Sequence, residues 1–277
     1  MALSAVALLP HSPLLIPEIG RANYDFLAKT AAAYATIGDE LAAKAVDTVV
    51  VISPHGPKTG TDYILNVAPE MIPDFRDFGF LPTPEPVNGD AILADQIKNA
   101  LRPDFPLILS SETNLDYGSG VPLYILKKRL PGLKALILHP AESQSPEEQA
   151  AFGARLGGVI AQRNKNIAVI ASGDLSHRLK KKSPGGYSPK GAKFDNRIIE
   201  ILSDGPAGMD DLLSLDKNLA ADAGQCGLRS LAVALGVLGG IDWRPEILAY
   251  QTDFGIGYLS VAFHFPKAGE ETANNIQ

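Results

Sequence analysis

The chain has 277 residues, with 31 acidic and 25 basic side chains for a net charge of −6, and 45% of its residues are hydrophobic. That composition excludes a fibrous or disordered chain, and an acidic balance without a long basic stripe argues against nucleic acid as a partner. A single cysteine, Cys226, excludes an intramolecular disulfide and any Cys-rich zinc module, and points to a reducing, cytoplasmic setting.

Residues 2–9 are an apolar run without a basic flank, cut by Pro10 well short of the ~20 residues of a membrane span, so they are expected to form a buried strand rather than a membrane segment. A helical pattern follows over 22–45. The next strand, 47–53, holds Val49-Val50-Val51-Ile52 and is apolar throughout, as expected of a strand covered on both faces. Strand 62–68 precedes a helix over 88–101 with Asn88 as its expected N-cap, then strand 106–110, helix 121–130 and strand 133–138. Over 145–163, Ser145, Pro146 at the first helical position and Glu148 at the third spell a capping box. Strand 166–172 is again apolar, and helices at 190–203 and 226–238 follow. Strands 246–251 and 257–265 flank a turn at Asp253-Phe254-Gly255 and are expected to pair as a hairpin. The basic run Arg178 to Lys182 reads as a solvated loop edge, and 267–277 as a polar, flexible tail. Apolar strands alternating with helices, and no dividing linker, predict one α/β domain over 1–266. Its central sheet is expected to be mixed, mostly parallel and flanked by helices on both faces.

In an open α/β sheet the working site lies at the carboxyl ends of the strands. Three of the five histidines fall there: His11 in Pro10-His11-Ser12-Pro13, His55 in Ser53-Pro54-His55-Gly56-Pro57, and His177 in Ser172-Gly173-Asp174-Leu175-Ser176-His177. Three imidazoles at equivalent strand ends suit a transition-metal site. Two histidines with a carboxylate would indicate non-haem iron(II), and zinc is the main competitor. His139 also ends a strand, whereas His264 alternates with Phe263 and Phe265 and reads as structural. Cys226 precedes a helix whose dipole favours a thiolate, which suits metal ligation or nucleophilic catalysis, against the plainer reading of a small buried hydrophobe. Phe75, Phe78, Phe80 and Tyr187 lie in loops and are expected to cover the core rather than stack on a ligand ring.

With these segments in order, the chain resembles the catalytic subunit of class III extradiol ring-cleavage dioxygenases and, within that superfamily, the Memo-like branch. The resemblance covers about residues 4–265. It rests on the three histidine segments, on Leu115-Asp116-Tyr117-Gly118 leading to Val121-Pro122-Leu123, and on Gly224-Gln225-Cys226-Gly227-Leu228-Arg229. It implies iron(II) held by His11, His55 and a third ligand from 224–227, with His177 as the acid/base. A catechol-like aromatic substrate and dioxygen would be the reactants. Extradiol relatives carry a glutamate in the third-ligand segment, where this chain has Gln225 and Cys226. Cys226 is the better donor of the two, and a thiolate shifts preference toward zinc or copper. Tyr117 stands where many relatives carry a histidine. Asp116, Tyr117 and Asp174 are expected beside the ligands or the substrate, Asp116 either orienting a ligand histidine or capping the helix that follows. Related chains occur fused to or paired with other proteins, which leaves room for a partner domain or a homo-oligomer. The alternatives to ring cleavage are a Memo-like metal-binding or redox-regulatory protein and a zinc-dependent hydrolase.

Overall fold

The computed structural model describes residues 2–266, so the polar stretch 267–277 lies outside the described residues. Its eleven strands form one sheet: β1 (Leu3–Leu9), β2 (Thr48–Ile52), β3 (Tyr63–Asn66), β4 (Glu70–Pro73), β5 (Val87–Gly89), β6 (Leu107–Ser110), β7 (Asn114–Leu115), β8 (Lys134–His139), β9 (Ile167–Ser172), β10 (Arg244–Gln251) and β11 (Tyr258–His264). The order along the main body is β10-β11-β1-β9-β2-β8. β1, β9, β2 and β8 are mutually parallel, and β10 and β11 add an antiparallel hairpin beside β1. Beyond β8 the sheet forks. β3 pairs antiparallel with the end of β8 and carries β6, while β5 pairs with its start and leads to β4 and β7.

Period-2 alternation decides the two cores. Val6, Leu8, Val50, Ile52, Leu136, Leu138 and Val169 point to one face, and Ala5, Ala7, Leu9, Val49, Val51, Ile137 and Ile170 to the other. The first face is covered by helices 91–101, 146–161, 189–203 and 228–237 and the second by 28–43 and 117–127. We label these in chain order α1 (Ala28–Ala43), α2 (Ala91–Leu101), α3 (Tyr117–Lys127), α4 (Pro146–Ala161), α5 (Pro189–Ser203) and α6 (Leu228–Val237). Central strands with apolar residues on both faces are the arrangement expected for Val49 to Ile52 and Ile167 to Ile170.

The capping box at Ser145 and Glu148 is formed in both directions. Asn88 is not a cap. It lies in β5 opposite Lys134, and the N-cap of α2 is Asp90, whose Oδ1 accepts from the Leu93 N–H at 3.1 Å. Short strands at 70–73, 87–89 and 114–115 and helices at 209–213 and 217–223 are absent from the sequence expectation, because each is too short to show a period of its own. Helix 22–45 begins as a 3₁₀ segment over Arg21–Leu27 before α1. Of the run Arg178 to Lys182, the three lysines are exposed, as expected of a solvated edge, whereas Arg178 is half-buried and donates to the Asp222 carbonyl at 3.4 Å.

α4 and α6 touch backbone to backbone. A Cβ added at Gly153 would lie 2.0 Å from the Val233 carbonyl oxygen, and one at Gly236 would lie 2.2 Å from that of Ala150. Gly153→Ala must therefore separate the helices and is expected to cost about 1–3 kcal/mol. Gly158, on the open side of α4 with no atom within 4 Å of an added Cβ, gives the opposite sign: Gly158→Ala should stabilise by about 0.5–1 kcal/mol. Urea denaturation midpoints of the two variants check the pair.

Candidate metal centre

The parallel register brings four strand ends to one edge. Leu9 pairs with Ser172, and Ile52 pairs with both Ala171 and Leu138, so the residues that follow them emerge side by side. His11 is nearly inaccessible. Its backbone N–H donates to Asp174 Oδ1 at 3.1 Å, and the preceding carbonyl of Pro10 accepts from the Tyr34 hydroxyl at 2.5 Å.

Ser172 determines the tautomer of His11. Its Oγ donates its one proton to the Gly118 carbonyl at 2.5 Å, so the 2.9 Å contact with His11 Nδ1 is one in which the imidazole N–H donates. The lone pair of His11 is thereby left on Nε2, facing the crevice. His55 turns its own Nε2 to within 3.0 Å of that atom. Two ring nitrogens so close are favourable only with a proton or a cation between them. Burial pushes both imidazoles down to about 3, the neighbouring His11 adding to the effect on His55, so both are neutral at physiological pH.

Cys226 completes the group. Its Sγ lies 3.5 Å from His11 Nε2, and one donor atom from each of His11, His55 and Cys226 falls within 4.8 Å of the others. Donors sharing one ion with bonds of ~2.1 Å to nitrogen and ~2.3 Å to sulfur stand roughly 3–3.6 Å apart, so the two shortest separations already match a common ion. The thiol reaches this place through a close loop contact: a Cβ on Gly173 would lie 2.3 Å from Gly227 Cα, and the Asp174 carbonyl accepts from the Gly227 N–H at 3.0 Å. Gly224, at φ +62°, ends the preceding helix in the left-handed conformation that turns the chain inward. Burial, with the Asp174 charge adding to it, pushes the Cys226 thiol well up, so without a cation it stays protonated.

Gln225 is engaged elsewhere. Its Oε1 accepts from the Leu228 N–H at 2.8 Å and so caps α6. Asp116 caps α3 through the Ser119 N–H at 3.0 Å and also accepts from the Ser53 hydroxyl at 2.8 Å, two residues before His55. It thus steadies the His55 loop without touching the ring. The Tyr117 hydroxyl lies 3.1 Å from His55 Nε2, and the two rings stack at 4.5 Å. Asp174 Oδ2 lies between two histidines, 3.8 Å from His11 Nε2 and 3.9 Å from His177 Nε2. Burial raises its carboxyl, and the charge of His177 opposes that rise. His177 Nδ1 is buried without a hydrogen-bond partner.

His139 braces the same loop from below, its Nδ1 3.0 Å from the Ser53 carbonyl oxygen and its ring against Gly56. His264 is remote and ion-paired with Glu246 at 2.7 Å. Phe75 is buried in the core, whereas Phe78 is 40% exposed and edge-on to Tyr117. Ser172 has no role in the sequence reading. The available signal was a hydroxyl at the end of an otherwise apolar, fully buried strand.

The fold is that of the aromatic ring-opening dioxygenase subunit family. The family of the catalytic LigB subunit of aromatic ring-opening dioxygenase matches residues 5–261, and the chain belongs to it. It is 34% identical over 269 residues to Protein CA_C1420 of Clostridium acetobutylicum, covering 93% of this chain and 57% of that protein, so it spans little more than half the length of that curated relative. The crystal structure of uncharacterized protein JW3007 from Escherichia coli K12 shares the fold, with a TM-score of 0.69 and 19% identity over 94% of this chain and 99% of the other. No helix among the described residues is long and apolar enough to cross a membrane.

Two outcomes are expected of this geometry. With neutral imidazoles and a protonated thiol, zinc binding at pH 7 should release close to one proton per ion. Affinity should then rise about tenfold per pH unit, which calorimetry in buffers of different ionisation enthalpy measures. Ser172→Ala should weaken metal binding by roughly 10- to 100-fold, because His11 loses the partner that presents Nε2; competition with a chromogenic chelator reads this directly.

Proposed function

We propose that the chain is a metal-dependent oxidoreductase that opens a catechol-type aromatic ring with dioxygen. In this reading its non-haem iron(II) is held by His11, His55 and Cys226, and His177 acts as acid/base. The observation that carries it is the convergence of two neutral Nε2 atoms 3.0 Å apart and a thiol 3.5 Å from one of them, within a family of ring-opening dioxygenases. The donor set accommodates a first-row ion, which would supply the electrons and the common anchor that dioxygen and a diol require.

The remaining work falls to the chain's own side chains. His177 is the one crevice histidine outside the donor group, and its side chain is 24% accessible, so it meets both substrate and solvent. An imidazole there takes a phenolic proton as the diol binds and returns it to the opened product. Asp174, 3.9 Å away, balances the imidazolium that forms. Tyr117 and Phe78 wall the crevice with aromatic surface on the side of His55, which suits a flat ring. The reading takes 1–266 as one catalytic domain and the cytoplasm as its place.

A specific residue favours a second reading. Cys226 stands where ring-cleaving relatives have a carboxylate, and sulfur suits zinc or copper as well as iron, which is the donor chemistry of a Memo-like metal-binding or redox-regulatory protein. Anaerobically purified protein reconstituted with iron(II) is expected to convert catechols to yellow products on admission of oxygen. His177→Ala should slow turnover by roughly 100-fold or more with metal content unchanged. Stoichiometric metal without turnover across a catechol panel would select the second reading.

A further inference from the structure

Among the described residues the buried carboxylates are Asp90, Asp174 and Asp195. Asp90 is paired with Lys165, and Asp174 stands between His11 and His177. Asp195, on α5, is wholly inaccessible, meets no cation among the described residues, and has no part in the chemistry above. Burial pushes its carboxyl up to about 6, and hydrogen bonds from Ser176 and Tyr250 oppose that rise, so at pH 7 it is an anion held in the interior by neutral donors. An ionised group kept in such a place, where an apolar one would pack at less cost, is a candidate for a task beyond packing.

Both of its oxygens are engaged. Oδ1 accepts from the Ser176 N–H at 2.8 Å, and Oδ2 accepts from the Tyr250 hydroxyl of β10 at 2.8 Å. One turn earlier on α5, a Cβ at Gly191 would lie 2.6 Å from Ser176 Oγ, so the helix backbone abuts the same residue. A Cβ at Gly257 would lie 2.0 Å from Asp195 Oδ2, and the Gly257 N–H donates to the Ser176 carbonyl at 2.9 Å. Ser176 is therefore gripped between α5 and the entry to β11. From there the hold passes to two loops. The next residue is His177, whose N–H donates to the Ala223 carbonyl at 3.2 Å, and Ser176 Oγ donates to that same carbonyl at 2.9 Å. Ala223 ends helix 217–223, and Gly224 then turns the chain toward Cys226.

We infer that Asp195 is a positioning residue for the metal centre: by accepting from the Ser176 N–H it fixes the two loops that deliver His177 and Cys226. The inference rests on the metal-centre reading above and adds the residue that places two of its groups. The requirement is for an acceptor at this point. An amide in the place of the carboxylate still offers its oxygen to Ser176 and can turn its NH2 group to the tyrosine oxygen, whereas a methyl offers nothing.

Asp195→Ala, Asp195→Asn and Ser176→Ala test it, with Ile198→Ala, a buried apolar position on the same helix, as the control for lost packing. Hydrogen exchange of the metal-free proteins, followed by mass spectrometry, reads the loops. Competition for zinc with a chromogenic chelator reads affinity, and the sulfur-to-metal charge-transfer absorption of the cobalt(II) form reads Cys226 itself. Asp195→Ala is expected to speed exchange in both 174–179 and 222–227, to weaken zinc binding roughly 10-fold or more, and to diminish the cobalt–sulfur absorption. Asp195→Asn should restore all three. Ser176→Ala keeps the bond to Asp195 and loses the one to Ala223, so it should loosen 222–227 and weaken zinc in the same sense; it carries the test if Asp195→Ala does not fold. Ile198→Ala should lower the urea midpoint without moving zinc affinity. Faster exchange in both loops of Asp195→Ala, with a wild type that binds no zinc, upholds the hold on the loops and overturns the metal centre. In a wild type that binds zinc, an affinity unchanged in Asp195→Ala and Ser176→Ala, an equal loss in Ile198→Ala, or no recovery in Asp195→Asn overturns the inference.

Discussion

The contact between Gly173 and Gly227 governs the rest of the site. Two backbones meet there so closely that a methyl on Gly173 would part them, its Cβ lying 2.3 Å from Gly227 Cα. That approach lets the Asp174 carbonyl bind the Gly227 N–H and seats Cys226, 215 residues away in sequence, beside His11. A looser junction would leave two histidines facing each other with no third donor.

Burial then sets the electrostatics. The donors are withdrawn from water, so each prefers its neutral form: imidazoles without a proton and a thiol with one. A cation would reverse that preference only for the thiol, so metal affinity at this group would be linked to one proton. Ser172 and Asp116 do not touch the ion's place, yet the first selects the tautomer of His11 and the second holds the Ser53 loop that carries His55.

Much of this is legible in the residue order. Apolar runs at 47–53 and 166–172 declare central strands, and His11, His55 and His177 declare themselves by following such runs, because a parallel sheet exposes its carboxyl ends along one edge. What escapes is everything that depends on partners distant in sequence. Asn88 looked like a helix cap because its residue type suits one, but pairing with β8 claims it for a strand and leaves Asp90 to cap. Gln225 and Cys226 are adjacent and equally placed by pattern. Only the local turn shows that the amide oxygen serves the helix and the sulfur the crevice. Asp116 both caps its helix and steadies a loop, since its Oδ1 accepts from the Ser119 N–H and from the Ser53 hydroxyl together.

By itself the sequence determined the α/β class, the alternation that splits the core over two faces, and the residue types available for metal chemistry, because these follow from local periodicity and side-chain inventory. Tertiary structure decided which atoms meet. The tautomer of His11 and the place of Cys226 beside it depend on groups well over a hundred residues apart, brought within a few ångströms by strand register and two facing glycines, whereas Gln225 is withdrawn by an N–H within its own turn.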